Sequence, residues 1–382
     1  MVETKYSKYR LNMLAPEQRY RGFGRWPQTI VFTDNDIIEG SNHIWASWIT
    51  SLPIPAHGPH THNDDEMLVM LGSDPDNKDD LGCEVEICMG LEMEKHIVRE
   101  STLIFVPANF VHGPVRFSSL KRPFIFLQAQ RAPKLTEKPL EELVPEQERD
   151  KMLFFDFDGT QTDSEVEKQY EKFQNLVSKL KEMEEGEGLS YSIGPTTESA
   201  IGETKYGKYF LNELSPEQRK RKFGNMPSAI VYTDDDIIKG SHLFFALWRR
   251  EPPRPGFGHG PHSHNDPESL IRLGGDPDNP QETGVESEDY MGLDMEKYIN
   301  SRSNIIFMPA GFVHGPATDI VYKRPWIMAQ CQYAPRLTEK SYKQLIPERE
   351  IDNRVFFDLD GTETDEELGK QRAGRPGAPP KD

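Results

Sequence analysis

Histidine and glutamate residues occur twice in this chain at spacings that suit a bound metal ion. The string HGPHTHNDDE spans residues 57–66 and HGPHSHNDPE spans 259–268, and a PANFVH or PAGFVH string follows each one. Residues at i, i+2 and i+6 of an extended chain lie on one face, and imidazole with carboxylate suits zinc, manganese, iron, nickel or copper. The predicted ligands are His60, His62, Glu66 and His112 in the first half, and His262, His264, Glu268 and His314 in the second.

The internal repeat extends well beyond these motifs. ETKYSKYRLNMLAPEQR at 3–19 returns as ETKYGKYFLNELSPEQR at 203–219, and FFDFDGTQTD at 154–163 returns as FFDLDGTETD at 356–365. The offset is 200 residues at first and 202 after His57, because the second half has two extra residues before its histidine motif. The chain is therefore two fused copies of one unit of ordinary domain size.

Composition narrows the classes of partner and compartment. A net charge of -18 argues against nucleic acid and anionic membrane surfaces, since both need clustered Lys and Arg. The start MVETKYSKYR has no apolar run, and no stretch approaches the roughly 18 residues of a membrane helix. The 3 cysteines have no regular spacing, which predicts a cytoplasmic protein without a disulfide framework.

Short apolar runs separated by Gly, Pro, Asp and Asn predict an all-β chain of antiparallel strands. Apolar residues at helical spacing between 164 and 183 predict one long connecting helix. We expect an N-terminal half at 1–163, a helical and acidic linker at 164–200, and a C-terminal half at 201–367. Residues 368–382 lack a hydrophobic pattern and are expected to be a disordered tail.

The combination of H-x-H-x3-E with P-x-G-x2-H about fifty residues later resembles the cupin superfamily, and two copies resemble a bicupin. The second half fits closely through Gly256, Pro309, Gly311 and His314, whereas the first half has Ile54 and Asn109 at the two glycine positions. The resemblance implies two tandem jelly-roll barrels, each holding one metal from three histidines and a glutamate. It covers residues 28–135 and 228–337 and favours iron or manganese, with zinc, nickel or copper as alternatives, up to two ions per chain.

Other residues are candidates for contacts with a substrate. His57 and His259 precede the ligands and would transfer protons or support the ligands, or else be exposed loop histidines. Gln128 with Gln130, and Gln330 with Gln332, contact the substrate if their strand face looks inward.

Arg272 lies four residues beyond Glu268 and therefore on the ligand face, where the first half has Met70. An unpaired guanidinium inside a barrel predicts an anionic substrate bound at the second half, as the principal reaction site. The alternative is that a bulge turns Arg272 outward or that an acidic residue pairs with it.

Three functions remain open from the sequence. The first is an enzyme that decarboxylates or dioxygenates a small organic acid, a phenol or a diketone, as the resemblance to oxalate decarboxylases and flavonol dioxygenases implies. The second is a non-redox hydrolase or isomerase in which the metal is a Lewis acid. The third is a binding or storage protein, although storage members of the family typically lose the ligands retained here. Exposed strand edges also predict a homodimer.

Overall fold

The computed structural model describes residues 4–12, 22–26, 28–184, 204–211, 228–251 and 258–372. Its contacts divide the chain into two compact units. We call Leu14–Glu213 the first unit, and Met1–Met13 together with Leu214–Asp382 the second unit. Among the described residues no helix is long and apolar enough to cross a membrane.

The described segments are mostly short strands. The strands of the first half of the chain are β1 (Arg10–Asn12), β2 (Thr29–Thr33), β3 (His43–Ile49), β4 (Ala56–His57), β5 (His60–Thr61), β6 (Glu66–Gly72), β7 (Asp80–Met89), β8 (Glu94–Glu100), β9 (Thr102–Val106), β10 (His112–Ser118), β11 (Phe124–Gln130), β12 (Thr136–Pro139), β13 (Met152–Leu153) and β14 (Phe157–Asp158). Those of the second half are β15 (Phe210–Leu211), β16 (Ala229–Thr233), β17 (Leu243–Arg249), β18 (Gly258–His259), β19 (His262–Ser263), β20 (Glu268–Gly274), β21 (Glu282–Met291), β22 (Glu296–Arg302), β23 (Asn304–Met308), β24 (His314–Tyr322), β25 (Trp326–Gln332), β26 (Lys340–Ser341) and β27 (Arg354–Val355).

Helices are few in the described part of the chain. The α-helices are α1 (Glu146–Arg149), α2 (Asp163–Glu184), α3 (Glu348–Ile351) and α4 (Asp365–Arg372). Short 3-10 helices lie at Ser7–Tyr9, Gly22–Arg25, Glu141–Leu143, Gly207–Tyr209 and Lys343–Leu345. Helix α2 confirms the helix predicted between 164 and 183, and it belongs to the first unit. The rest of the predicted linker beyond 184, the PEQR segments at 16–19 and 216–219, Gly256 and the tail from 373 lie outside the described residues.

Each unit is built from two main sheets of antiparallel strands in a jelly-roll arrangement, and only the short pairs β13–β4 and β18–β27 in the described residues are parallel. In the first unit one sheet has the order β15-β9-β6-β11-β3-β2, and the other has the order β13-β4-β10-β5-β12-β14 with β7 and β8 beyond β10. In the second unit the sheets are β1-β23-β20-β25-β17-β16 and β22-β21-β24-β19-β26, with β18 paired to β27. The sheet orders confirm the expectation of an all-β chain with two jelly-roll units.

The N-terminal arm of each repeat lies on the barrel of the other repeat. Strand β1 pairs with β23, through Leu11 opposite Ile305, and its counterpart β15 pairs with β9, through Leu211 opposite Leu103. Each arm covers a sheet edge that would otherwise expose unpaired backbone groups. The units are therefore not simple halves of the sequence, and the predicted boundaries did not include this exchange.

Candidate metal centres

The predicted ligands of the first unit meet inside its barrel. His60 on β5 lies directly opposite His112 on β10, and Glu66 opens β6. The Nε2 atoms of His62 and His112 lie 3.3 and 3.1 Å from the Glu66 carboxylate oxygens. The ligand atoms of the three histidines all lie within 4.8 Å of one another.

The second unit repeats this geometry with its own four residues. The ligand atoms of His262, His264, Glu268 and His314 all lie within 4.8 Å of one another. The Nε2 atoms of His264 and His314 each lie 3.0 Å from Oε2 of Glu268. The structure thus brings all eight predicted ligand residues into two clusters of four.

Backbone carbonyls fix the orientation of the first unit's three imidazoles. Nδ1 of His60 donates to the carbonyl of Gly58 at 2.7 Å, and Nδ1 of His112 donates to the carbonyl of Phe110 at 3.2 Å. Nδ1 of His62 donates to the carbonyl of Thr136. Because a carbonyl can only accept, each Nδ1 carries the proton and Nε2 keeps the lone pair that a metal needs.

The buried atoms that converge in each cluster lie 3.0 to 3.3 Å from one another without forming hydrogen bonds, and this arrangement fits a metal ion. In the first unit Nε2 of His62, Nε2 of His112 and Oε2 of Glu66 are buried and make no hydrogen bond, and in the second unit the same holds for Nε2 of His264 and Oε2 of Glu268. Such groups are costly to leave unpaired in a protein interior. A divalent cation held by these nitrogens and oxygens would satisfy them together.

Charge within each cluster shifts the pKa values of the ligands. Burial opposes ionisation of Glu66, but His62 and His112 outweigh it and hold the pKa of this carboxyl well below its usual range. Burial also lowers the pKa of His62, but Glu66 prevails and raises it to about 9. The pKa of His264 is raised to about 9 in the same way. Metal binding at neutral pH must therefore displace a proton from each cluster.

The two histidines predicted to support the ligands lie beside them and each contacts a buried glutamate. His57 stacks on His60 with ring centroids 4.3 Å apart, and its Nε2 lies 2.8 Å from Oε1 of Glu137. His259 stacks on His262 at 4.0 Å and lies 2.7 Å from Oε1 of Glu339. Both histidines are partly exposed and paired with a glutamate, and their role in proton transfer or ligand support stays a prediction.

Sequence reasoning missed these two glutamates. Their side chains are only 1% exposed, and Oε1 of each also accepts a backbone N–H, from Phe155 in one unit and from Phe357 in the other. The signal available was the tripeptide LTE, which is identical in both repeats at 135–137 and 337–339.

The strand face that carries the glutamine pairs looks inward. Gln130 lies directly opposite Glu66, and Gln332 directly opposite Glu268. The amide of Gln128 donates to Glu66. Gln130 accepts from the backbone N–H of Thr136 at 2.9 Å and so braces the residue whose carbonyl orients His62. Gln332 is fully buried, and neither of its amide atoms has a hydrogen-bond partner.

Arg272 does lie inside the second barrel, but the expectation that its charge is unpaired is wrong. Its guanidinium makes two hydrogen bonds to the carboxylate of Asp289, at 2.8 and 2.6 Å, and one to Ser287 at 2.8 Å. Arg10 from the exchanged arm also lies 3.7 Å from Asp289 and donates to Asn300. Asp289 on β21 therefore supplies the negative charge beside Arg272 that the sequence analysis had expected from an anionic substrate.

His43 was missed altogether and lies inside the first barrel. It is 1% exposed, and it is directly opposite Gln130 across the β3–β11 pair. Burial lowers its pKa to about 4, although Glu66 raises it in part. The repeat could not reveal this residue, because Leu243 occupies the equivalent position in the second unit.

Comparisons with known proteins give structural likenesses only. No protein-family model matches the sequence, and no curated protein matches it. A structure of oxalate decarboxylase from Bacillus subtilis at pH 4.6 is 13% identical with a TM-score of 0.47, and the match covers 84% of this chain and 76% of that chain. A deletion mutant of the same Bacillus subtilis protein is 12% identical with a TM-score of 0.49, covering 87% and 82%.

Proposed function

We propose that the chain is a metal-dependent bicupin enzyme acting on a small oxygenated organic compound by decarboxylation or dioxygenation. The observation that carries the proposal is the duplicated set of three oriented imidazoles and one buried carboxylate. We propose iron or manganese as the ion, with zinc, nickel or copper as alternatives, and an organic acid, phenol or diketone as the substrate. A metal in such a site supplies Lewis acidity or, when redox-active, dioxygen chemistry.

The protein groups around each cluster have separable tasks in this proposal. Glu137 accepts the Nε2–H of His57, which leaves Nδ1 of that ring to take a proton from a bound substrate or return one. His259 and Glu339 are placed in the same way in the second unit. The inward amides of Gln128, Gln330 and Gln332 would contact the substrate, whereas Gln130 holds the backbone in place.

Two other functions would use the same clusters without oxidative chemistry. A hydrolase or isomerase would use the same ligands with the metal as a Lewis acid only. A storage or binding protein would have no need of the histidine and glutamate pairs found beside both clusters. We also propose a homodimer in the cytoplasm, which light scattering and cell fractionation would test.

The deciding experiment combines metal analysis with substrate turnover. We expect close to two first-row metal ions per chain after reloading, and release of these ions as pH falls through roughly 6 to 4, because imidazole must be deprotonated to bind. Carbon dioxide release and oxygen uptake are then measured across a panel of acids, phenols and diketones with iron-loaded and manganese-loaded protein, with and without air. Fewer than about half an ion per chain, or no turnover of any compound, would overturn the proposal.

A further inference from the structure

His43 occupies a defined place in the interior of the first unit. Glu66 on β6, Gln130 on β11 and His43 on β3 form one row across three adjacent strands. Side chains directly opposite one another point to the same face of a sheet, and neighbouring strands are roughly 4.8 Å apart. His43 therefore faces the metal cluster from the far side of Gln130, and it is not one of the residues that bring ligand atoms together.

One nitrogen of His43 has no partner within the protein. Its Nε2 is buried and makes no hydrogen bond to any described residue. A buried polar atom of this kind is normally paired, and the cost of leaving it unpaired is what a ligand group can recover. The equivalent row in the second unit runs from Glu268 through Gln332 to Leu243, which has no polar atom in its side chain.

The groups around His43 are aromatic rings and an amide. The ring of His43 lies 5.6 Å from that of Phe23 and 5.7 Å from that of Phe32. Gln128 lies close to His43, and Trp45 lies opposite Gln128 on the next strand. Among these described residues none is Lys or Arg, so the surroundings suit a flat ring with a hydroxyl or carbonyl oxygen better than a small dianion.

We propose that His43 is a substrate-contacting residue of the first metal centre, and that this centre takes an aromatic compound bearing a hydroxyl or carbonyl oxygen. The inference rests on the proposed function, because it assumes a metal on the first cluster. It selects the phenolic class of substrate over small dicarboxylates. It also moves the expected substrate site from the second unit, where Asp289 already pairs with Arg272, to the first.

The test uses the full chain loaded with zinc, in a background with His262→Ala and His264→Ala so that only the first centre binds the ion. The probe is 4-nitrocatechol, whose absorbance changes when it binds a metal, and oxalate is measured by displacement of the probe. His43→Leu introduces the residue that the second unit already has, so the fold should tolerate it. His43→Gln keeps a hydrogen-bonding group and serves as the matched control.

We expect His43→Leu to raise the Kd of 4-nitrocatechol about tenfold, which is the loss of one buried hydrogen bond. His43→Gln should recover most of this loss, zinc content should stay at the parent value, and the affinity for oxalate should not change. An unchanged Kd for the probe at full zinc content, or an equal loss of oxalate affinity, would overturn the inference. A parent protein that binds no zinc would overturn the proposed function as well, and the zinc measurement separates the two failures.

Discussion

Each barrel has its own cluster of three histidines and one glutamate, and the two clusters have the same geometry. The barrels differ in the side chains that fill the space beyond these clusters. In the second unit the interior beyond the cluster holds a buried ionic cluster of Arg10, Arg272, Ser287, Asp289 and Asn300. The equivalent positions in the first unit are Phe210, Met70, Val85, Ile87 and Val98, all buried in one apolar core. The same backbone framework therefore accepts either a charged or an apolar filling.

On strands β2 and β3, and on their counterparts β16 and β17, the polarity of the two barrels is reversed. The first unit has Thr29, His43 and Ser47 on β2 and β3, where the second unit has Ala229, Leu243 and Leu247 in an apolar cluster. Each barrel thus has polar side chains in one region of its interior where the other barrel has apolar ones. The residues of the His and Glu cluster and the residues that fill the rest of the barrel interior can therefore change independently of each other.

The largest effect should come from breaking the ionic cluster of the second unit. Asp289→Ile leaves two buried guanidinium groups without their shared carboxylate, which should destabilise that unit by about 3–5 kcal/mol. Hydrogen exchange followed by mass spectrometry should show faster exchange in β20–β22, while the equivalent β6–β8 keeps its protection.

A compensated variant provides the control for this prediction. This variant replaces all five residues of the ionic cluster by the apolar residues of the first unit and should recover most of the lost stability, because the whole charged group is removed at once. Its substitutions are Arg10→Phe, Arg272→Met, Ser287→Val, Asp289→Ile and Asn300→Val. Equal protection of β20–β22 in the parent and in Asp289→Ile would show that the ionic cluster is unimportant for folding.

The next effect concerns pH and is confined to the first unit. His43 has a pKa of about 4 in the fold because of burial, against about 6.5 in the unfolded chain. The unfolded state therefore binds more protons between these values, and stability falls as pH drops from about 6.5 to 4, by up to about 3 kcal/mol. His43→Leu should flatten this decline in denaturant titrations of the metal-free protein. Parallel stability curves for the variant and the parent would refute it.

The smallest effect separates the two inward glutamines. Gln130→Leu removes the brace on Thr136 and should weaken metal binding at the first centre by about tenfold, as is typical when a group that orients a ligand is lost. Gln332→Leu removes an amide that has no hydrogen-bond partner and should leave the metal affinity of the second centre unchanged. Competition with a chelator, measured in variants that retain one centre each, would detect the difference. Equal effects of the two substitutions would contradict it.

The sequence was sufficient for the parts of the molecule that the repeat preserves. The ligand residues and the antiparallel strands follow from motifs present in both copies, and His57 and His259 were correctly placed beside the clusters. Arg272 was placed on the correct face, but its partner Asp289 lies on another strand. That pairing joins β20 of one sheet to β21 of the other, a tertiary contact that no local pattern encodes.

The exchanged arms could not have been predicted for a similar reason. ETKYSKYRLN and ETKYGKYFLN are nearly identical, and neither string indicates which sheet edge it will join. The two strings differ at two positions, Ser7 against Gly207 and Arg10 against Phe210, and the second difference matches each arm to its barrel. The structure explains this difference: Arg10 lies beside Asp289 in one unit, and Phe210 stacks on His96 at 4.3 Å in the other.

This exchange has a consequence for how the gene can change. A recombination event that replaced only the 3′ half would separate Arg10 from Asp289 and pair an arm from one lineage with a barrel from another. Selection on the second unit therefore acts on codons 1–13 and 214–382, which lie on either side of the codons for the first unit. Once the duplicated copies had diverged at these positions, exchange of one repeat alone would separate side chains that now pack together.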